Sequence, residues 1–317
     1  MTETDVLGAP YTRETLSLPD DDEGPVVATL VRRPAEGASR GAVLHVHGFC
    51  DYFFGVNQAE FWSTRGYDFY AIDLRKYGRS LLPHQTPNFC RDLTEYDEDL
   101  DAALDVIRRR DGHEHVVINA HSTGGLITAL WATRRRTGGT RVADAFVMNS
   151  PWLYLQGSLF NRTIGTEAIN RLGVRRPYAV VPRTVSGVYV EAIHQEFKGE
   201  WDFDLTWKPK ESFTVHAGWL RAIRIGHRIV HKGVDVGAPV LTLCSTRSTM
   251  AEEWTEDAAS TDIVLDVKQI AKWSHQLAHR VTVVRLEGAM HDVFLSRKDV
   301  RDAAFGAVDR WLDYALP

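Results

Sequence analysis

Three cysteines in 317 residues (Cys50, Cys90 and Cys244) are too few and too scattered for a disulfide framework or a paired-cysteine metal site. That scarcity fits a reducing cytoplasm. No window reaches the roughly 18 apolar residues that a spanning helix requires, so stable membrane insertion is not expected. The opening MTETDVLGAPYTRETLSL also lacks the basic-then-apolar order of a secretion signal. An excess of positive charge is missing too: 37 Lys and Arg stand against 42 Asp and Glu, a net charge of −5 with a pI near 6.2. A protein held on nucleic acid through phosphates needs the opposite balance. What is present, 44% hydrophobic and 25% charged residues, is the composition of a globular enzyme. At 317 residues the chain slightly exceeds what one core usually fills, roughly 250–300 residues. One domain with an insertion, or two modest ones, is expected.

Thr12–Leu18 and Val26–Arg33 read as a hairpin around the turn-forming Pro19–Gly24. Short apolar runs follow at Ala42–Val46, Phe69–Leu74, Val116–Asn119, Ala145–Met148, Val240–Cys244 and Val281–Leu286. Helical periodicity separates them, at Val56–Arg65, Tyr96–Arg110, Leu126–Arg136, Lys268–Ala278 and about Lys298–Tyr314, the last with Ser296 as its N-cap. Continuous apolar strands alternating with helices predict a doubly wound α/β fold with a mostly parallel sheet. The rhythm breaks between Pro151 and Gly237, a stretch rich in Trp and Tyr. The expected organisation is therefore a core of residues 1–150 and 237–317, with residues 151–236 inserted as a cap over the carboxyl ends of the strands.

Three segments carry chemistry. Ala120-His121-Ser122-Thr123-Gly124-Gly125 follows a strand and opens a helix, and small residues there let the chain turn tightly enough to lift Ser122 Oγ above the sheet. Read alone, it is also an ordinary helix start with a serine cap. His45-Val46-His47-Gly48-Phe49 ends the first core strand, where the following loop supplies an oxyanion-hole donor. Phe49 N–H is that candidate, with Thr123 N–H as the second. His45 and His47 share a strand face, but no acidic or cysteine neighbour completes a metal site, so no metal and no cofactor are expected. Gly288-Ala-Met-His291-Asp292 follows the last core strand, which places His291 as general base. The acid must lie between Ser122 and His291, on the loop after Val240–Cys244. Asp257, Asp262 and Asp266 are candidates there; Asp262 is preferred, because Asp266 is better placed as a helix N-cap.

Together these segments resemble the α/β-hydrolases, specifically the monoacylglycerol lipase and lysophospholipase-like group that also holds serine aminopeptidase-type sequences. Asp73-Leu-Arg-Lys-Tyr-Gly78-Arg-Ser80 is similar to that group's Asp-x-Arg-Gly-x-Gly-x-Ser loop, with Lys76 in place of the first glycine. The resemblance implies structural roles for Asp73 and Arg75. It also implies Asp262 as the acid, through Thr261-Asp262-Ile263-Val264, although Ser245–Ser260 is longer than the group's usual loop. The expected activity is a cofactor-free serine esterase; the aromatic cap, with Phe53 and Phe54 near the oxyanion loop, implies a small-molecule ester substrate with an apolar acyl or aromatic portion. Two rivals remain. One is an aminopeptidase or amidase using Glu191, Glu196 and Glu200 to hold a free amino terminus, and the other is a non-catalytic binding protein on the same fold. Asn161-Arg-Thr163 matches a glycosylation acceptor pattern that has no bearing without a secretion signal.

Overall fold

The computed structural model describes residues 2–136, 140–155, 169–181 and 187–316. Nine strands form one sheet: β1 (Glu3–Thr4), β2 (Thr12–Asp21), β3 (Gly24–Arg33), β4 (Gly41–Val46), β5 (Tyr67–Asp73), β6 (Val116–His121), β7 (Ala145–Asn149), β8 (Val240–Ser245) and β9 (Val281–Leu286). Their spatial order is β1-β2-β3-β5-β4-β6-β7-β8-β9. The hairpin end is antiparallel, and everything from β5 to β9 is parallel. β4 lies between β5 and β6, so successive connections leave its two sides in opposite directions. That reversal opens a crevice beyond the carboxyl ends of β4 and β6.

Alternation along the strands sends residues to two layers. Leu44, Val46 and Ile118 face one core with α2 (Tyr96–Asp105), α3 (Thr123–Arg135) and α5 (Ala217–Val230); Val43 and Val117 face the other with α1 (Val56–Thr64) and α7 (Lys298–Ala315). Both faces of β4, β6 and β8 are buried, which is why those strands read as apolar runs. The remaining helices are α4 (Val188–Ile193) and α6 (Val267–Ser274), and residues 169–175 are also helical.

Some expected boundaries move. The helix from Tyr96 keeps α-geometry only to Asp105 and widens to a π turn over Val106–Arg110. Ser296 does not cap α7; Arg297 holds that position, while Ser296 Oγ turns inward to accept from Met290 N–H at 2.9 Å. A hydroxyl that holds the His291 loop is not free to cap the helix. The glycosylation pattern at Asn161 lies outside the described residues.

Candidate active site

Ser122 sits between β6 and α3 with φ 51° and ψ −115°. A non-glycine residue there is strained by about 1–3 kcal/mol, so the surroundings must impose it. Ser122 N–H donates to Asn149 O (3.0 Å), and Ser122 O accepts from Gly125 N–H (3.0 Å) and Trp152 N–H (2.8 Å). The small neighbours are dictated by contact. A Cβ on Gly124 would stand 2.5 Å from both Val46 O and His47 O, and one on Gly125 would stand 2.6 Å from Pro151 Cβ. Ala120 is different, because its methyl is fully buried between the register partners Val46 and Met148.

His291 arrives on the loop after β9, and Asp262 on the loop after β8. Ser122 Oγ–H donates to His291 Nε2 at 3.0 Å, and His291 Nδ1–H donates to Asp262 Oδ2 at 3.0 Å. A carboxylate only accepts, so the Nδ1 tautomer is fixed and Nε2 presents its lone pair to the serine. Asp262 is fully buried, and its other oxygen accepts from Val264 N–H (2.8 Å) and Leu265 N–H (2.7 Å). The two competing acids lie elsewhere. Asp266 caps α6 by accepting from Lys268 N–H, and Asp257 pairs with Arg247 at the surface. Asn149 secures the His291 loop, donating to Asp292 Oδ1 (2.6 Å) and accepting from Val293 N–H (3.1 Å).

Phe49 N–H finds no acceptor among the described residues. Thr123 is the first residue of α3, where a helix N–H has no intrahelical partner. Both residues line a cavity of about 260 Å³ that also touches Ser122 and His291. Phe49 packs on Trp219, ring centroids 4.2 Å apart, and Trp152 and Tyr189 join the lining. Met250 and Ala251, from the long loop before Asp262, complete one side. Phe53 and Phe54 do not line it. Phe53 is packed against His45 and Phe69, and Phe54 against Phe203.

The two strand histidines serve structure. Leu74 N–H donates to His47 Nε2 (3.0 Å), which leaves Nδ1–H to donate to Gly48 O (2.8 Å) and shape the loop before Phe49. Burial pushes His45 down to about 3, so it is neutral beside Asn119. Among the described residues no group of three His, Cys, Asp or Glu could hold a metal ion. Asp73 accepts from Phe53 N–H and Arg79, and Arg75 pairs with Asp99, so both are structural.

Sequence reasoning missed one cluster. Lys208 Nζ donates to Asp51 Oδ1 (2.8 Å), and His121 Nδ1 lies 3.3 Å from Asp51 Oδ2; all three side chains are buried and line the cavity. Burial alone would push the Asp51 carboxyl up, but the Lys208 charge and the His121 hydrogen bond outweigh it and hold it well below the ordinary range. Such a depressed carboxyl adds stability above the unfolded pKa of about 4, which is lost as pH falls below it. Lys208→Met should destabilise the protein by about 3–5 kcal/mol, since Asp51 would keep a buried, unpaired charge. Urea unfolding checks this, and adding Asp51→Asn should recover much of the loss.

The family model for serine aminopeptidase, S33, matches residues 37–199, half of the chain. The chain belongs to this family. No curated protein matches the sequence. Among solved structures, the S33 chain resembles a soluble variant of monoglyceride lipase from Saccharomyces cerevisiae, with TM-score 0.67, 16% identity, and 96% of each chain covered. A thermostable carboxyl esterase from Bacillus coagulans gives TM-score 0.67 at 16% identity, covering 96% of this chain and 99% of the other. The monoacylglycerol lipase of Paleococcus ferrophilus gives 0.65 at 19%, covering 89% and 98%. These likenesses are of fold, and the fold of this S33 member is that of the α/β-hydrolases. Across its described residues no helix is long and apolar enough to cross a membrane.

Proposed function

We propose that this chain hydrolyses carboxylic esters through an acyl-enzyme formed on Ser122. The observation that carries the reading is the continuous relay from Asp262 through His291 to Ser122, two hydrogen bonds of 3.0 Å opening into one cavity. Ser122 Oγ attacks the ester carbonyl while His291 Nε2 takes its proton, and Asp262 stabilises the imidazolium that forms. Phe49 N–H and Thr123 N–H hold the oxyanion at the positive end of α3. His291 returns the proton to the departing alcohol, and a water activated in the same way releases the acid. No cofactor enters these steps.

Residues 151–236 act in this reading as a cap, and their Trp152, Tyr189 and Trp219 supply apolar lining for the substrate. Three free, buried cysteines agree with action in a reducing cytoplasm. The folds of the monoglyceride lipase and carboxyl esterase structures agree with ester chemistry.

The aminopeptidase rival needs carboxylates for a substrate ammonium group, and the cavity offers the reverse. Lys208 and Lys210 line it, and Asp51 is already held by Lys208. Glu191 pairs with Lys210, Glu200 pairs with Arg301, and Glu196 is exposed. Turnover of p-nitrophenyl butyrate and alanine p-nitroanilide, measured side by side, tests the choice. The ester should show the higher kcat/KM; faster anilide cleavage would overturn the proposal.

A further inference from the structure

A second concavity, unconnected with the relay, lies where residues 169–175 pack on α5. It has a volume of about 370 Å³ and is lined by Asn170, Val174 and four arginines: Arg171, Arg175, Arg221 and Arg228. The convergence follows from helix geometry. Arg171 and Arg175 are one turn apart, and Arg221 and Arg228 are two turns apart, so each pair shares a helix face. Gly173 lets the two backbones meet: a Cβ there would stand 2.7 Å from Ala217 O and 2.9 Å from Arg221 Cβ.

Among the described residues no carboxylate lines this groove. Arg175, Arg221 and Arg228 have no ion-pair or hydrogen-bond partner among the described residues, whereas the surface arginines Arg13, Arg65, Arg91, Arg110 and Arg135 are all paired with acids. The charge of the chain is also unevenly divided. Residues 151–236 hold twelve Lys and Arg against eight Asp and Glu, a net +4, while the rest of the chain carries −9. Arg175, Arg221 and Arg228, gathered without a counter-charge among the described residues, repel one another, and an anion between them relieves that repulsion. A planar guanidinium fork matches the oxygens of a phosphoryl group, to which it can give two parallel N–H···O bonds, and this groove collects several such forks in one lining.

We propose that this groove binds a phosphoryl oxyanion, either a soluble phosphate or phosphate ester or the headgroup of an anionic phospholipid. The site is separate from the ester-hydrolysing relay and stands whether or not that reading does.

The test uses the full chain. Inorganic phosphate and pyrophosphate are titrated by calorimetry against chloride at matched ionic strength. In parallel, the protein is co-sedimented with vesicles of phosphatidylcholine alone or mixed with phosphatidylglycerol. Saturable binding is expected in at least one arm, weakened about tenfold or more by Arg221→Glu/Arg228→Glu, since each lost charge-assisted hydrogen bond lowers affinity by about that factor. Melting temperature and p-nitrophenyl ester turnover should stay unchanged. Binding to phosphatidylglycerol vesicles but not to phosphate identifies a lipid headgroup, and binding to phosphate or pyrophosphate without vesicles identifies a soluble ligand. No saturable binding in either arm, or binding that the double variant leaves intact, overturns the proposal. Should charge reversal unfold the chain, Arg175→Gln/Arg228→Gln, both at exposed positions, carries the same test.

Discussion

Asp262→Asn is expected to lower kcat for a p-nitrophenyl ester by about 10⁴-fold with the fold intact. The size of the effect follows from the partners of the carboxylate. One oxygen of Asp262 accepts from Val264 N–H and Leu265 N–H, so an asparagine must put its carbonyl oxygen there. Its NH₂ then faces His291 Nδ1 and donates to it. The imidazole is forced into the tautomer with its proton on Nε2, aimed at Ser122 Oγ, and it cannot accept the serine proton. Asp266→Asn is the control. Asparagine is as good an N-cap as aspartate, so α6 and the rate should both be nearly unchanged. Steady-state kinetics and thermal melts of the two variants check this; a large rate loss in Asp266→Asn with little in Asp262→Asn would reverse the assignment.

Ser122→Ala should abolish labelling by a fluorophosphonate probe and reduce ester turnover by roughly 10⁴–10⁶-fold. Alanine has the same backbone tolerance as serine, so the positive φ at this position is neither relieved nor worsened, and the melting temperature should hardly move. That separates loss of the nucleophile from loss of structure. A wild-type chain that takes no label would indicate a binding protein on a hydrolase fold. Label retained by Ser122→Ala would put the nucleophile elsewhere.

How much of this could be read from the chain depended on range. The core strands were legible because burial on both faces of a parallel sheet leaves an unbroken apolar run, as in Val116–Ile118. Ser122 and His291 were legible for a local reason: each lies just beyond the carboxyl end of a strand, Ser122 after β6 and His291 on the loop after β9, where a parallel sheet exposes its site. Asp262 needed more, because several acids share its loop; the resemblance of Thr261–Val264 favoured it, and the fold buries it while Asp257 pairs at the surface. The Asp51–His121–Lys208 cluster left no local sign. Lys208 and Asp51 are 157 residues apart, and nothing around either lysine or aspartate announces a buried partner. Phe53 and Phe54 misled because proximity in sequence to the oxyanion loop is not proximity to its open side. Ser296 misled because its hydroxyl had a second, inward use that propensity does not record.

Lys76 shows how a departure from a family pattern can become fixed. It stands where the resembling loop has glycine, and it keeps the left-handed backbone that glycine would adopt freely, with φ 64°. Its buried ammonium reaches back to the β2–β3 turn and pairs with Asp21 and Glu23, each at 2.5 Å. A return to glycine would relieve roughly 1 kcal/mol of backbone strain but strand two half-buried acids beside each other. Neither acid can be lost first without leaving the lysine buried and short of a counter-charge. The three positions are thus energetically coupled, so a single substitution at any one of them costs more than changing all three together.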